Sequence, residues 1–167
     1  MENSTAAESK LDPRIKNVWR INDGFWIILI ALVCTAPFLL AAMNGDYDVA
    51  AIGSFVATAE LVVTVVLLVL FLGVLPPIRY VRWRYRVSDD YLEIRKGIVW
   101  RRHYVIPFIR VQNTDTRQGP IMRAFGLASV TVATAAGEHE IPGLRVNDAE
   151  VLRDKAAELA RLAREDV

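Results

Sequence analysis

The sequence predicts an α+β membrane protein: a hairpin of two transmembrane helices, then a small antiparallel β domain closed by one C-terminal helix. Three observations carry this. Two apolar runs of membrane length lie in the first half, separated by a short polar link. Beyond Pro76-Pro77 the apolar period changes from continuous to alternating. The last stretch returns to a helical period, with charged residues between the apolar ones.

The first run, Phe25 to Met43, holds no charged side chain. At 1.5 Å per residue its length is roughly 28 Å, about one hydrocarbon core. Pro37 lies inside it, where a membrane helix tolerates a kink because neighbours satisfy the freed carbonyl. The second run, about 49–75, exceeds what one bilayer requires, so it tilts or protrudes. Pro76-Pro77 is expected to end it. The link Asn44-Gly45-Asp46-Tyr47-Asp48 carries two acids and no base. Lys10, Arg14, Lys16 and Arg20 precede the first span, and Arg79, Arg82, Arg84 and Arg86 follow the second. The positive-inside rule then puts both termini in the cytoplasm and the link outside, a multi-pass protein of the cell membrane. Trp19, Phe25, Trp26, Tyr80 and Trp83 fit an interfacial belt. The expected segments are a cytoplasmic leader over 1–24, the hairpin over 25–77 with spans at 25–43 and 49–75, and a cytoplasmic domain over 78–167. The alternative, two buried helices in a soluble core, is disfavoured by two such runs in one chain.

Composition bounds the function. The chain is 53% hydrophobic, above the roughly 45–50% of soluble domains. A net charge of only +1 argues against a general nucleic-acid binder. The single cysteine, Cys34, sits in an apolar run and can make neither an internal disulfide nor, alone, a zinc site. Glu60 is the one ionisable residue within the spans, and a carboxylate at mid-bilayer costs on the order of 2.5–3.5 kcal/mol. It is either a proton or ligand site, a hydrogen-bonding group for a helix, or a shallow residue near the interface. No second acid, base or histidine lies in the spans to complete a relay. Gly53, Ser54, Ala57 and Ala59 permit close packing on the first helix or on another protein.

The β domain reads as short strands between turn residues. Trp83–Val87 is followed by a turn at Ser88-Asp89-Asp90. Tyr91–Lys96 alternates Leu92 and Ile94 against Glu93 and Arg95. Gly97 marks a tight turn, and Ile98–Ile106 continues the meander until Pro107. Val111–Arg117 is polar on both faces, as at a sheet edge or functional surface. Ile121–Phe125 has the length of one helical turn, Leu127–Thr134 is a strong strand, and Glu138–Ile141 returns until Pro142-Gly143. A helix capped by Asn147, with Glu150 three residues on, ends the chain. About six or seven antiparallel strands and one capping helix is the architecture of a pleckstrin-homology-like (PH-like) barrel.

At this point the chain resembles the membrane-anchored bacterial PH-like family, the YdbS-like group. The residues that carry the likeness are Arg84-Tyr85-Arg86-Val87, Gly97-Ile98-Val99, Ile106-Pro107 with Arg110-Val111-Gln112, Gln118-Gly119-Pro120, and Arg123-Ala124-Phe125-Gly126-Leu127-Ala128. Thr134-Ala135-Ala136-Gly137 follows, with one alanine more than the family's usual Thr-Ala-Gly. The resemblance implies a fold and a topology but no chemistry, since the family has no established catalytic residues.

Two groups of residues are expected to matter. Arg79, Arg82, Arg84, Arg86, Arg95, Lys96, Arg101 and Arg102, with His103 and Trp100 nearby, are expected to meet the membrane, through nonspecific attraction or a headgroup pocket. Arg110, Gln112, Asn113, Gln118 and Arg123 form a polar run expected either to line a partner-binding edge or to satisfy backbone groups around Pro107 and Pro120. Glu138-His139-Glu140 does not gather, because strand alternation sends His139 away from both glutamates. No serine elbow, phosphate-binding loop, dinucleotide fingerprint or zinc helix is present. The expectation is a non-enzymatic module without cofactor, bound to membrane lipids and to a protein partner: another PH-like membrane protein or a second copy. Headgroup recognition by the basic hairpin is the alternative, and a Glu60-dependent transporter or enzyme the third reading. Nucleic acid is not expected as a partner.

Overall fold

A computed structural model describes residues 8–45 and 47–165. The acidic link residue Asp46 and the start of the leader, residues 1–7, lie outside the described residues. The chain divides into two compact units, Trp19–Pro76 and the combination of Met1–Val18 with Pro77–Val167.

Helix α1 (Ile15–Met43) begins well ahead of the apolar run. Its start is written in Asp12-Pro13: an Asp12 carboxylate oxygen accepts the Arg14 amide at 2.9 Å, and proline suits a helix entry. The helix continues through Pro37. Helix α2 (Tyr47–Leu68) returns antiparallel. Gly53 lies so close to Phe38 that an added Cβ would fall 2.7 Å from its side chain, which assigns this glycine to packing on the first helix. Further along, Gly24 faces Leu72.

The expected stop at Pro76-Pro77 does not occur. The helix passes through a π-helical stretch, Val69–Val74, and resumes as α3 (Leu75–Arg82). The prolines thereby occupy the first turn of α3, where a missing N–H costs least. The Leu72 carbonyl would need the amide of residue 76 in an α-helix or of residue 77 in a π-helix, and both are prolines. Arg20 Nε donates to it instead, at 2.8 Å. Large apolar side chains of this hairpin, Phe25, Leu32, Leu39, Phe55 and Leu61 among them, face outward. Both helices are long and apolar enough to cross a membrane.

The second unit holds two three-stranded antiparallel sheets. The first is β1 (Arg84–Val87), β2 (Tyr91–Lys96) and β3 (Arg102–Pro107), in that order. The second is β4 (Val111–Arg117), β5 (Leu127–Thr134) and β6 (Gly137–Arg145). The described strands therefore number six and form no closed barrel. Pro107 ends the first ladder, and the 3-10 turn Phe108–Arg110 lifts the chain out of it, so β4 begins a new sheet rather than a fourth strand. β3 starts at Arg102, not Ile98, because residues 98–100 form the bend at its tip. β6 runs past Pro142-Gly143: the register slips between Ala128 and Val130, and that irregularity accommodates both residues. Helix α4 (Pro120–Ala124) supplies the expected single turn. Helix α5 (Val146–Glu165) opens one residue before Asn147, so Asn147 lies in the first turn rather than capping it.

Leu92, Ile94, Ile106, Phe108, Val111, Val130, Val132 and Ile141 form the core, with buried Ala149, Ala156 and Ala160 on α5. Residues 8–18, expected as a separate leader, are part of this unit. Ser9 pairs with Tyr85 on β1, and the Asp12 amide donates to the Gly143 carbonyl on β6 at 2.9 Å. Leu11 and Ile15 are buried. A Cβ on Gly143 would fall 2.5 Å from Ile15, and its φ of +66° independently favours glycine. This strap ties the two sheets together.

Candidate anion-binding site

The registers of β1, β2 and β3 place basic residues opposite each other. Arg84 pairs with Arg95, Arg95 with His103, and Lys96 with Arg102. Directly opposed like charges destabilise a sheet. Two acids answer them: Glu8, at the rim beside Arg95, and Glu93, on the same face as Arg95 and almost fully buried. Glu93 Oε1 accepts from Arg95 Nη2 at 2.5 Å and His103 Nε2 at 2.6 Å, and Arg86 approaches Oε2 at 3.9 Å. Burial raises the Glu93 pKa, but hydrogen bonds from Arg95 and His103 and their charges outweigh it, leaving the carboxyl below its ordinary value.

The remaining cations gather at the tip end of this sheet. A cleft of about 400 Å³ is lined by Arg82, Arg84, Arg95, Lys96, Arg101, Arg102 and His103, with Val81 and Gly97. Arg84 spends its guanidinium on the carbonyls of Trp83, at 2.7 Å, and Tyr80, at 3.3 Å. Glu8 stands 3.5 Å from Arg95. Lys96 Nζ lies 5.3 Å from the centre of the Tyr104 ring. Among the described residues, Arg82, Arg101 and Arg102 have no carboxylate within ion-pair distance. Guanidinium forks held apart in this way suit the oxygens of a phosphate.

Of the eight cations expected at a membrane, six line this cleft; Arg86 turns to Glu93, and Arg79 lies on α3 outside the lining. The structure adds His103 to the lining and supplies Glu93 as the organising acid. Glu93 was visible only as one acid in an alternating strand.

The polar run Arg110–Arg123 does not form one surface. Arg110 and Gln112 line a cleft of about 640 Å³ between the end of β3, the 3-10 turn, the β5–β6 turn and His139. Gln112 and Asn113 also border a groove against α5. Gln118 donates to the Leu127 carbonyl at 2.9 Å, a backbone-satisfying role. Arg123 is exposed on α4, outside both clefts. His139 lies tilted against Tyr104, ring centres 4.7 Å apart; burial and the charge of Lys96 lower its pKa. Within the hairpin, the partner of Glu60 is an uncharged hydroxyl on the first helix. Glu60 Oε2 accepts from Thr35 Oγ1 at 3.0 Å, while Oε1 is buried without a partner among the described residues. No group of three or more His, Cys, Asp or Glu able to hold a metal occurs among the described residues.

A PH-like β unit, joined to two helices long enough to cross a membrane and bearing a cationic cleft, defines a membrane-associated PH-like protein. The chain belongs to the bacterial PH domain family, whose model matches residues 24–160, hairpin and β unit together. It is 31% identical over 165 residues, covering 96% of this chain and 97% of the relative, to the UPF0699 transmembrane protein YdbS of Bacillus subtilis (strain 168). No solved structure matches. Neither the family nor that relative's name indicates catalysis.

Proposed function

We propose that the two helices anchor this chain in the cell membrane as a non-enzymatic module, and that the cationic cleft binds the phosphate of an anionic headgroup. The observation that carries the reading is the two like-charge cross-strand pairs, Arg84–Arg95 and Lys96–Arg102, with Arg101 beside them, balanced only by Glu93 and, at the rim, Glu8 among the described residues. A sheet that breaks a local stability rule in this way marks a working site, because a bound anion supplies the missing countercharge. Residues 8–18 share one unit with 77–165. That supports an even number of crossings with both flanks at one membrane face, and the cations flanking the spans favour the cytoplasmic face.

The test uses the full chain in neutral detergent, titrated calorimetrically with short-chain phosphatidylglycerol, glycerol phosphate and short-chain phosphatidylcholine. The double variant Arg101→Glu, Arg102→Glu should bind phosphatidylglycerol about tenfold or more weakly, as expected for lost charge-assisted hydrogen bonds. Arg102→Glu also sets an acid opposite Lys96, so the sheet is not put at risk. Preference for the lipid over glycerol phosphate identifies a lipid ligand, and equal affinity a free phosphate ester. Unchanged binding in the variant, or equal binding of phosphatidylcholine, rejects the reading.

The cleft at Arg110 and Gln112 favours a second reading, docking of a second copy or another PH-like membrane protein. Among the described residues the outer edge of β3 is unpaired there, and Val105 and Ile109 are exposed beside it. A photocrosslinker at Gln112 should then give, in native membranes, an adduct with the mass of two such chains. Recovery of uncrosslinked chain alone rejects it.

A further inference from the structure

We propose that the β2–β3 tip, Ile98-Val99-Trp100, is an apolar wedge that enters the lipid interface while the surrounding cations hold the phosphates; this rests on the cleft's ligand being a lipid headgroup. Val99 and Trp100 are each 81% exposed, more than any other large apolar side chain of the β unit among the described residues. Isolated exposed apolar residues are ordinary, but adjacent ones at the apex of a hairpin form a patch. The apex is built rather than slack. Gly97 has φ +114°, and a Cβ there would fall 1.9 Å from the Trp100 carbonyl oxygen, so only glycine lets the loop fold back this tightly. That fold leaves the Trp100 ring in solvent instead of over the sheet.

Two features choose a lipid surface as the occupant. The first is charge. Arg95-Lys96 and Arg101-Arg102 bracket the tip in sequence, and no acid lies between them. A tryptophan with an adjacent aliphatic residue, ringed by guanidinium and ammonium groups, matches the layering of an anionic interface, where phosphates overlie the glycerol region. The second is continuity. Val81 and Arg82, the last residues of the apolar helical segment Ala51–Arg82, line the same cleft as the tip's cations. The chain leaving the second span therefore forms one wall of the site, and strand β1 starts two residues after Arg82.

The test uses the full chain with Cys34→Ser and a nitroxide at Val99→Cys, reconstituted in nanodiscs of phosphatidylcholine and phosphatidylglycerol. A nitroxide at Glu138→Cys, exposed at the β5–β6 tip, is the reference. Collisions with a water-soluble nickel chelate should be at least about fivefold rarer at 99 than at 138, while collisions with oxygen, which partitions into lipid, should be more frequent. Equal nickel access at the two sites overturns the proposal. Suppression of both reagents at 99 also overturns it, since that is the mark of a protein surface over the tip. Adding Trp100→Ser to the 99-labelled chain should raise nickel access about threefold or more and leave glycerol phosphate affinity unchanged; unaltered access counts against the wedge. A shielded tip with no loss of anion binding in Arg101→Glu, Arg102→Glu means the headgroup reading has failed alone. A cleft that binds and a tip open to nickel means the wedge has failed alone.

Discussion

The two sheets share an architecture and differ in what covers their central strands. In the second sheet, β5 is buried along six consecutive residues, Leu127 to Val132, with α5 and α4 packed against it. In the first sheet, β2 is buried at Leu92, Glu93 and Ile94, so one of its three buried side chains is a carboxylate. Arg86, Arg95 and His103 close over that carboxylate. One central strand is sealed by uncharged and mostly apolar side chains, the other in part by ion pairs. Apolar packing is indifferent to pH and leaves nothing to bind a charged ligand. Ion pairs respond to protons, and they leave surplus cations at the rim.

The largest expected effect lies in the apolar sheet. Ile141→Ala on β6 removes a fully buried side chain and should cost about 2–5 kcal/mol of stability. Thermal unfolding of the full chain in neutral detergent measures it. Glu93→Gln should cost less, about 1–3 kcal/mol, because Arg95 and His103 are half exposed and water can take up the charges left behind.

The two effects should also part with pH. The Glu93 carboxyl titrates below its ordinary value of about 4.5 in the folded chain. Its stabilisation is therefore complete above about pH 4.5 and fades as pH falls through the lower folded-state value. The gap between the wild type and Glu93→Gln should close in acid, while the Ile141→Ala gap persists. Parallel pH curves for wild type and Glu93→Gln would erase the distinction between the sheets. The smallest effect belongs to the exposed edge of the second sheet. Arg117 pairs with Glu138 at 3.1 Å and Asp115 at 3.5 Å, all well exposed. Arg117→Ala should leave the melting temperature unmoved.

Most of the β elements were legible in the sequence. β4 and β5 have the bounds that alternation and turn residues indicate, and β2 was marked by Leu92 and Ile94 against Glu93 and Arg95. Sequence pattern and structure part where one region decides the fate of another. Pro76-Pro77 reads as a stop because proline ends a helix locally. Arg20, over fifty positions away, supplies the Leu72 carbonyl with the donor the prolines lack. Pro142-Gly143 reads as a strand end, yet β6 continues, with Gly143 fitted against Ile15 from the leader. The leader itself carried a readable signal, the helix start at Asp12-Pro13, with Asp12 also 3.2 Å from Arg145. The basic residues of the site were visible as a cluster around Gly97, but their confrontation across strands was not.

By itself the sequence determined which segments are apolar enough to cross a membrane, which alternate as strands, and where cations crowd. Those properties follow from side-chain transfer energies and local backbone preference, which accumulate along neighbouring residues. Only the tertiary structure decided that Arg84, Arg95 and His103 share one row, that Glu93 is buried beneath them, and that residues 8–18 bind two sheets. Strand register and distant contacts set these, and a single-residue slip in register would send each of those side chains to the opposite face.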